Sequence, residues 1–590
     1  MVKPVFTFAA IACLLVSAVL GRVAEPVAVP SSIIRLQQGW DEAQEQIFYH
    51  MPQGTVILPA SWLAALQSPD GQTFMDSDHM RRLGFIADDR STTNPYAWPI
   101  GFAINPAKDT GGVKTVGLTC AACHTGEISY RGKTFRVDGG QAHIDLDVFK
   151  KAISEAILAT GSTPESREAF MHRAVQFGFP ADRIGAEFDA RYRAVVDGTP
   201  ERERTAADGT AAGPGRNDAL AVIAKVLFNY ALGVPANTNR ATAPVDFPYL
   251  WNIWNLNWVQ YNGSVRQPMS RNIGEALGVG AITHLIDPGT RALSSEPERW
   301  RTSIPVRNLY ALESLLESLQ PPHWPEAVLG RVDSVRAKRG AQLFSQNCGG
   351  CHGVRVIAGA KSEEWSVKVL PLTVIATDPM QATNFRSTTY DGTKLGLSAH
   401  TDAATGLRVA TDAVRAQAYR DAQIPAARWR AFDGFGRANV ITSPCGYKAR
   451  PLVGVWATPP FLHNGSVPTV FALLSESRPP KFLVGSTEYD PEKLGLSQAD
   501  APNTITFDTT AVGNSNAGHW FTDDQTRSGR IGRRFTDDER YDLIEYLKAA
   551  TYADYPHTVV NSADPEPCVS DAAGASELPT SSVVELRSRH

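Results

Sequence analysis

Two Cys-x-x-Cys-His pentapeptides, Cys120-Ala-Ala-Cys123-His124 and Cys348-Gly-Gly-Cys351-His352, constrain this chain more than any other feature. Their spacing suits covalent attachment of a c-type haem. Two thiols reach the two vinyl groups on one side of a porphyrin, and the adjacent imidazole swings beneath the ring to bind iron. A Cys-x-x-Cys pair alone is equally a zinc knuckle or a redox dithiol. The His directly after the second Cys, in both copies, favours haem over either alternative. The reading is two covalent haem c groups, attached at Cys120, Cys123, Cys348 and Cys351, with iron ligands His124 and His352.

Haem c is attached outside the bacterial cytoplasm, and the start of the chain agrees. Lys3 supplies a short positive region, Val5 to Leu20 is mostly apolar, and Gly21 offers a cleavage point. Residues 1–21 therefore read as a signal peptide, with an uncleaved anchor as the alternative. The apolar stretch is short for a membrane span, and no later run is long and apolar. A periplasmic or secreted protein without a stable membrane span is expected. Cys13 leaves with the signal. Cys445 and Cys568 remain, either as a disulfide or as two unpaired thiols. A formal net charge of -4 gives no basic excess for binding nucleic acid.

The chain has 590 residues with 39 prolines and 47 glycines, which implies much loop-built structure. The expected fold is mainly α with extensive loops and a few short strands, in two cytochrome c-like haem domains. The first spans residues 22–330 and the second 331–563, followed by a loose tail, 564–590. In the second, Arg339-Gly340-Ala-Gln-Leu-Phe344 reads as a helix running into Cys348. Gly340 there permits a close helix crossing. Thr536-Asp-Asp-Glu539 is a capping box, after which Tyr541, Ile544 and Leu547 share one helical face. In the first, Ile128 to Val137 alternates around Arg131-Gly132 as a β-hairpin. Helices are expected at Leu146–Leu158 and Ala219–Leu232, and the polar stretch Asp197–Asn217 as a surface insertion.

Two such motifs and cytochrome-type helices in one exported chain resemble the bacterial dihaem cytochrome c peroxidase superfamily. Tyr447 through His463 to Thr469 is similar to its C-terminal haem segment. The segments Phe48–Gly54, Val137–Gly140, Trp258–Gly263, Val484–Asp490 and Gly513–His519 most resemble the rubber oxygenase branch. These pieces span most of the mature chain.

The resemblance implies further roles. The second haem takes His519 as its other axial ligand, in preference to His463, whose turn looks structural in the peroxidases. A bis-imidazole iron leaves no position for substrate, so this haem is the electron relay. The first haem is then the reactive one, and His143 is the candidate to cover its distal face. The preferred reading leaves that iron open or water-bound, with His143 at the surface. Trp258 matches the superfamily's electron-carrying Trp between haems, with Trp251 as substitute and core packing as the alternative. Arg266, Arg271, Lys448 and Arg450 are candidates for haem propionates, although each singly reads as a solvated surface charge. Calcium, which some relatives hold between the haems, is left open.

Three functions are compatible with these features. A dioxygenase would bind O2 at the first haem and cleave an apolar alkene or polymer such as polyisoprene. A peroxidase would reduce hydrogen peroxide with electrons from a small donor cytochrome, using a distal acid–base group for which Glu275 and Gln260 are candidates. An electron-transfer cytochrome would have both irons six-coordinate, and the long chain argues against it. The oxygenase reading is preferred. One departure stands against polyisoprene: the branch has an aromatic near the Arg271-Asn-Ile-Gly-Glu-Ala276 stretch, where this chain has Ile273.

Overall fold

The structure is a computed structural model describing residues 33–107, 111–287, 289–295, 298–359 and 364–561. The signal peptide, the tail, Cys13 and Cys568 lie outside the described residues. Helix accounts for 37% and strand for 16%. The architecture is thus mixed rather than mainly α with a few strands. Every sheet among the described residues has only two or three strands. Frequent Pro and Gly cut the chain into segments too short for long helices, and the pieces pair locally. Hydrophobic periodicity identifies amphipathic helices well but is silent on two-residue strands.

The first motif follows strand Thr115–Leu118 and leads directly into the expected hairpin. Thr125–Tyr130 pairs antiparallel with Lys133–Asp138, and Ile33–Arg35 adds a parallel strand. The turn needs left-handed backbone at Arg131 (φ 50°) and Gly132 (φ 75°), and Gly supplies the second at no steric cost. Helix Leu146–Thr160 follows, capped by the Asp145 carboxylate, which accepts from the amides of Asp147 and Val148.

In the stretch 197–217, helix Ile184–Asp208 runs in from the N-terminal side and Arg216–Asn217 then pairs with Val245–Asp246. Arg216 is buried, donating to the carbonyls of Ala212 and Asn464, so its charge is structural. One segment differs from expectation, Ala219–Leu232, where the helix is α only to Ala224 and becomes a π-turn over Lys225–Ala231. The Asn237 side chain donates to the Phe228 carbonyl there, at 3.1 Å.

The second motif ends helix Ser334–Asn347, which packs along Asp537–Ala549. Asp333 caps the first helix, and the Thr536–Glu539 capping box starts the second. A Cβ on Gly340 would lie 1.9 Å from the Asp542 carbonyl oxygen, so only glycine fits this crossing. The Asp542 carboxylate in turn accepts from Arg339 at 2.7 Å and Arg336 at 3.2 Å.

One hydrophobic cluster runs from Phe48 to Tyr555 and includes Trp251, Trp258, Phe344 and Trp456. A second fills the N-terminal region around Trp62, Phe102 and Phe149. Cys120 and Cys348 both pack against the first cluster, so the two haem regions share a core.

Gly340→Ala should destabilise the fold by about 3 kcal/mol, since the methyl group meets backbone that cannot yield. A lowered midpoint in chemical unfolding checks this, and an unchanged midpoint would show that the crossing tolerates separation.

Candidate haem centres

Both motifs fold alike. Cys120–Ala122 forms a 3-10 turn and Gly349–His352 a short helix. In each, the His amide donates to the first Cys carbonyl at 2.9 Å, placing imidazole and thiol one turn apart. All four thiols are free and partly buried. Burial pushes Cys120 up to about 11 and Cys348 up to about 12, and it raises Cys123 further. A redox dithiol needs a depressed thiol pKa, so the reactive-dithiol alternative does not fit. Among the described residues, no group of three or more His, Cys, Asp or Glu is arranged to hold a metal ion.

At the second motif, His352 Nδ1 donates to the Arg450 carbonyl at 2.8 Å, which leaves Nε2 free to ligate. The His519 ring faces it with centroids 6.3 Å apart and planes inclined by 62°. Two metal–imidazole bonds of about 2 Å each, added to the two ring radii, give about this separation. Burial holds both imidazoles below the usual histidine range, His519 at about 3, so both are neutral and able to ligate. These residues fit a haem c with two imidazole ligands. His463 does not enter that pair. It is buried and stacked on Tyr447 at 3.9 Å, while its carbonyl accepts from the Asp246 amide.

At the first motif, burial pushes His124 down to about 4, partly offset by the nearby Pro248 carbonyl. Its ring lies edge-on to Phe247 at 6.2 Å. The Cys120 thiol reaches Gln53 Oε1 at 3.2 Å. No second imidazole pairs with His124, among the described residues, as His519 does with His352. His143 is half-buried rather than at the surface, and its ring bonds to the Glu127 backbone.

Helix Pro268–Gly278 borders the first motif. Ile273 on it is fully buried, and Glu275 accepts from Gln260 Nε2 at 2.7 Å. Burial raises the Glu275 carboxyl, whose charge in turn bears on both Cys120 and Cys123. Gln260 and Glu275, fifteen positions apart in sequence, are thus joined beside the motif.

The basic candidates are not solvated surface charges. Arg450 is buried and Arg271 pairs with Glu313, itself buried. Lys448 Nζ donates to the Gln260 carbonyl at 2.6 Å, and burial drives its pKa well down. Arg266 lies 3.7 Å from Glu364. Sequence reasoning treated each charge singly, and singly a charge belongs in water. Burial of several together needs long-range contacts that spacing cannot reveal.

Trp258 sits in the shared core, 2% exposed. The alternative, Trp251, is stacked on Tyr249 at 4.5 Å, and the Arg450 guanidinium lies 3.5 Å over Tyr249. Arg450 also donates to the Tyr249 and Trp251 carbonyls. Tyr249 had no signal of its own in the sequence. Cys445 is disulfide-bonded, while the expected partner Cys568 is outside the described residues.

The geometry agrees with comparisons to known proteins. A family profile described as RoxA-like, cytochrome c-like matches residues 446–483, the strand and turn that include Arg450 and His463. The uncharacterized protein y4iJ of Sinorhizobium fredii (strain NBRC 101917 / NGR234) is 36% identical over 574 residues, covering 87% of this chain and 92% of that protein. A second uncharacterized protein of that strain, y4iM, is 28% identical over 320 residues, 51% of this chain and 64% of its own length. With a cytochrome c-like segment and similarity to y4iJ over most of both lengths, the chain is a c-type haem protein and belongs to the family of y4iJ.

Proposed function

We propose that the chain is an exported dihaem oxidoreductase with a reactive site at His124 and an electron relay at His352 and His519. The observation supporting this division is the asymmetry of the imidazoles. His352 is faced by His519 at 6.3 Å, whereas the ring beside His124 is that of Phe247. When bound, haem c would supply redox-active iron at both motifs, accessible to a small oxidant only at the first.

The reaction favoured is oxidative cleavage of an apolar alkene. One C=C bond and one O2 yield two carbonyl groups, both oxygen atoms end in product, and no external reductant is consumed. The RoxA-like segment supports this branch. The chain's own contribution is Ile273, completely buried on the helix beside the motif. It is aliphatic where the oxygenases have an aromatic, so the proposal does not extend to polyisoprene itself.

One observation favours a second reading, reduction of hydrogen peroxide. Gln260 orients Glu275, and burial keeps that carboxyl protonated to higher pH than an exposed one. A carboxyl in that state can deliver a proton to a leaving oxygen. Turnover would then take two electrons and two protons per peroxide, drawn from a small donor cytochrome through the relay. Tyr249, Trp251 and Arg450 offer the connection from His352, through stacked rings and hydrogen-bonded carbonyls.

Replacing Cys120 and Cys123 together with Ala should halve the covalent haem per chain; an unchanged haem-to-protein ratio would refute attachment there. In the intact protein, O2 uptake on an alkene without added reductant supports the oxygenase. Peroxide-dependent oxidation of a reduced cytochrome, lost in Glu275→Gln by about 10²-fold or more and slowed in Trp251→Phe, would establish the peroxidase instead.

A further inference from the structure

The turn that presents His519 is held by one buried arginine. Arg478 Nη1 donates to the carbonyls of Asn516 and Gly518, the latter at 2.9 Å. Its Nη2 donates to the carbonyls of Leu473 at 3.1 Å and His519 at 3.0 Å. The guanidinium lies 3.9 Å over the Trp520 ring, on which Arg527 also rests at 3.6 Å. Arg478 is 8% exposed, and its hydrogen-bond partners are neutral carbonyls rather than carboxylates. Its positive charge is therefore uncompensated by direct pairing.

The turn needs such a clamp. Gly518 and His519 are both left-handed, with φ of 73° and 51°. That conformation is free for glycine but costs a histidine roughly 1–2 kcal/mol. A Cβ at Gly518 would lie 2.3 Å from the Ile375 carbonyl, which itself accepts the His519 amide at 2.9 Å. The pair is held from outside itself, by the Ile375 carbonyl and by Arg478. Arg478 bonds the Asn516 carbonyl before the strained pair and both carbonyls of the pair itself. A planar fork with fixed donors suits this task, and a lysine ammonium does not.

We propose that Arg478 is the positioning residue of the relay site. Its fork holds the Gly518–His519 turn so that the His519 imidazole faces His352, and its unpaired charge raises the potential at which the relay accepts an electron. The inference rests on the reading of His519 as the second axial ligand. A cation beside the site disfavours the more positive oxidised state, which fixes the sign of the effect.

The test uses the full-length, haem-loaded protein with Arg478→Lys, Arg478→Met and His519→Ala. Both Arg478 variants should keep wild-type covalent haem. Their relay low-spin signal in electron paramagnetic resonance should fall at least twofold, with a high-spin signal in its place that added imidazole removes. With imidazole present, Arg478→Met should show a lowered midpoint potential, and Arg478→Lys should retain the wild-type value. Full low-spin signal and unshifted potential in both variants, with the signal lost in His519→Ala, would overturn the inference alone. Retention of the signal in His519→Ala would overturn the ligand reading and the inference together. If Arg478→Met does not accumulate, the spin state of Arg478→Lys decides.

Discussion

The hydrogen bond from His352 Nδ1 to the Arg450 carbonyl organises most of what surrounds it. It fixes the tautomer, aims Nε2 towards His519, and ties the motif to a residue whose side chain does separate work. The Arg450 guanidinium holds the carbonyls of Tyr249 and Trp251 and lies on the Tyr249 ring. The residue after Pro248, whose carbonyl bears on His124, is therefore clamped to the residue that orients His352. The two motifs are 228 positions apart in sequence and are coupled here through a handful of backbone carbonyls.

Buried charge is handled differently at the two sites. Around the first motif, cations and carboxylates occur together: Arg271 pairs with Glu313, Gln260 donates to Glu275, and Lys448 donates to the Gln260 carbonyl. Near the second, Arg478 is surrounded by carbonyls and an indole ring. The buried cations near the second motif, Arg450 and Arg478, bond backbone carbonyls, with Arg527 resting on the same indole as Arg478.

Local features were legible in the sequence because local rules produce them. The haem motifs, the Arg131-Gly132 hairpin, the Thr536–Glu539 capping box and the Gly340 crossing each depend on a few neighbouring residues. The joining of Gln260 to Glu275 and the burial of Lys448 and Arg450 depend on packing between distant segments. The π-turn at Lys225–Ala231 was missed because a one-residue change of helical repeat leaves the apolar spacing almost unaltered. The strand content was underestimated because two-residue strands leave no periodicity to count. Arg478 left no trace, since an arginine among prolines and serines reads as surface.

The surroundings of the thiols have a consequence for their reactivity. In the folded chain, burial holds Cys120 and Cys348 near 11 and 12, so almost none of either is thiolate at neutral pH. The four cysteines keep partial exposure, so it is the suppressed thiolate and not a sealed surface that slows reagents attacking thiols. A chain in which Phe48 and Tyr555 have not yet joined one cluster offers thiols nearer their ordinary range. Packing around the motifs thus sets how reactive their sulfurs are.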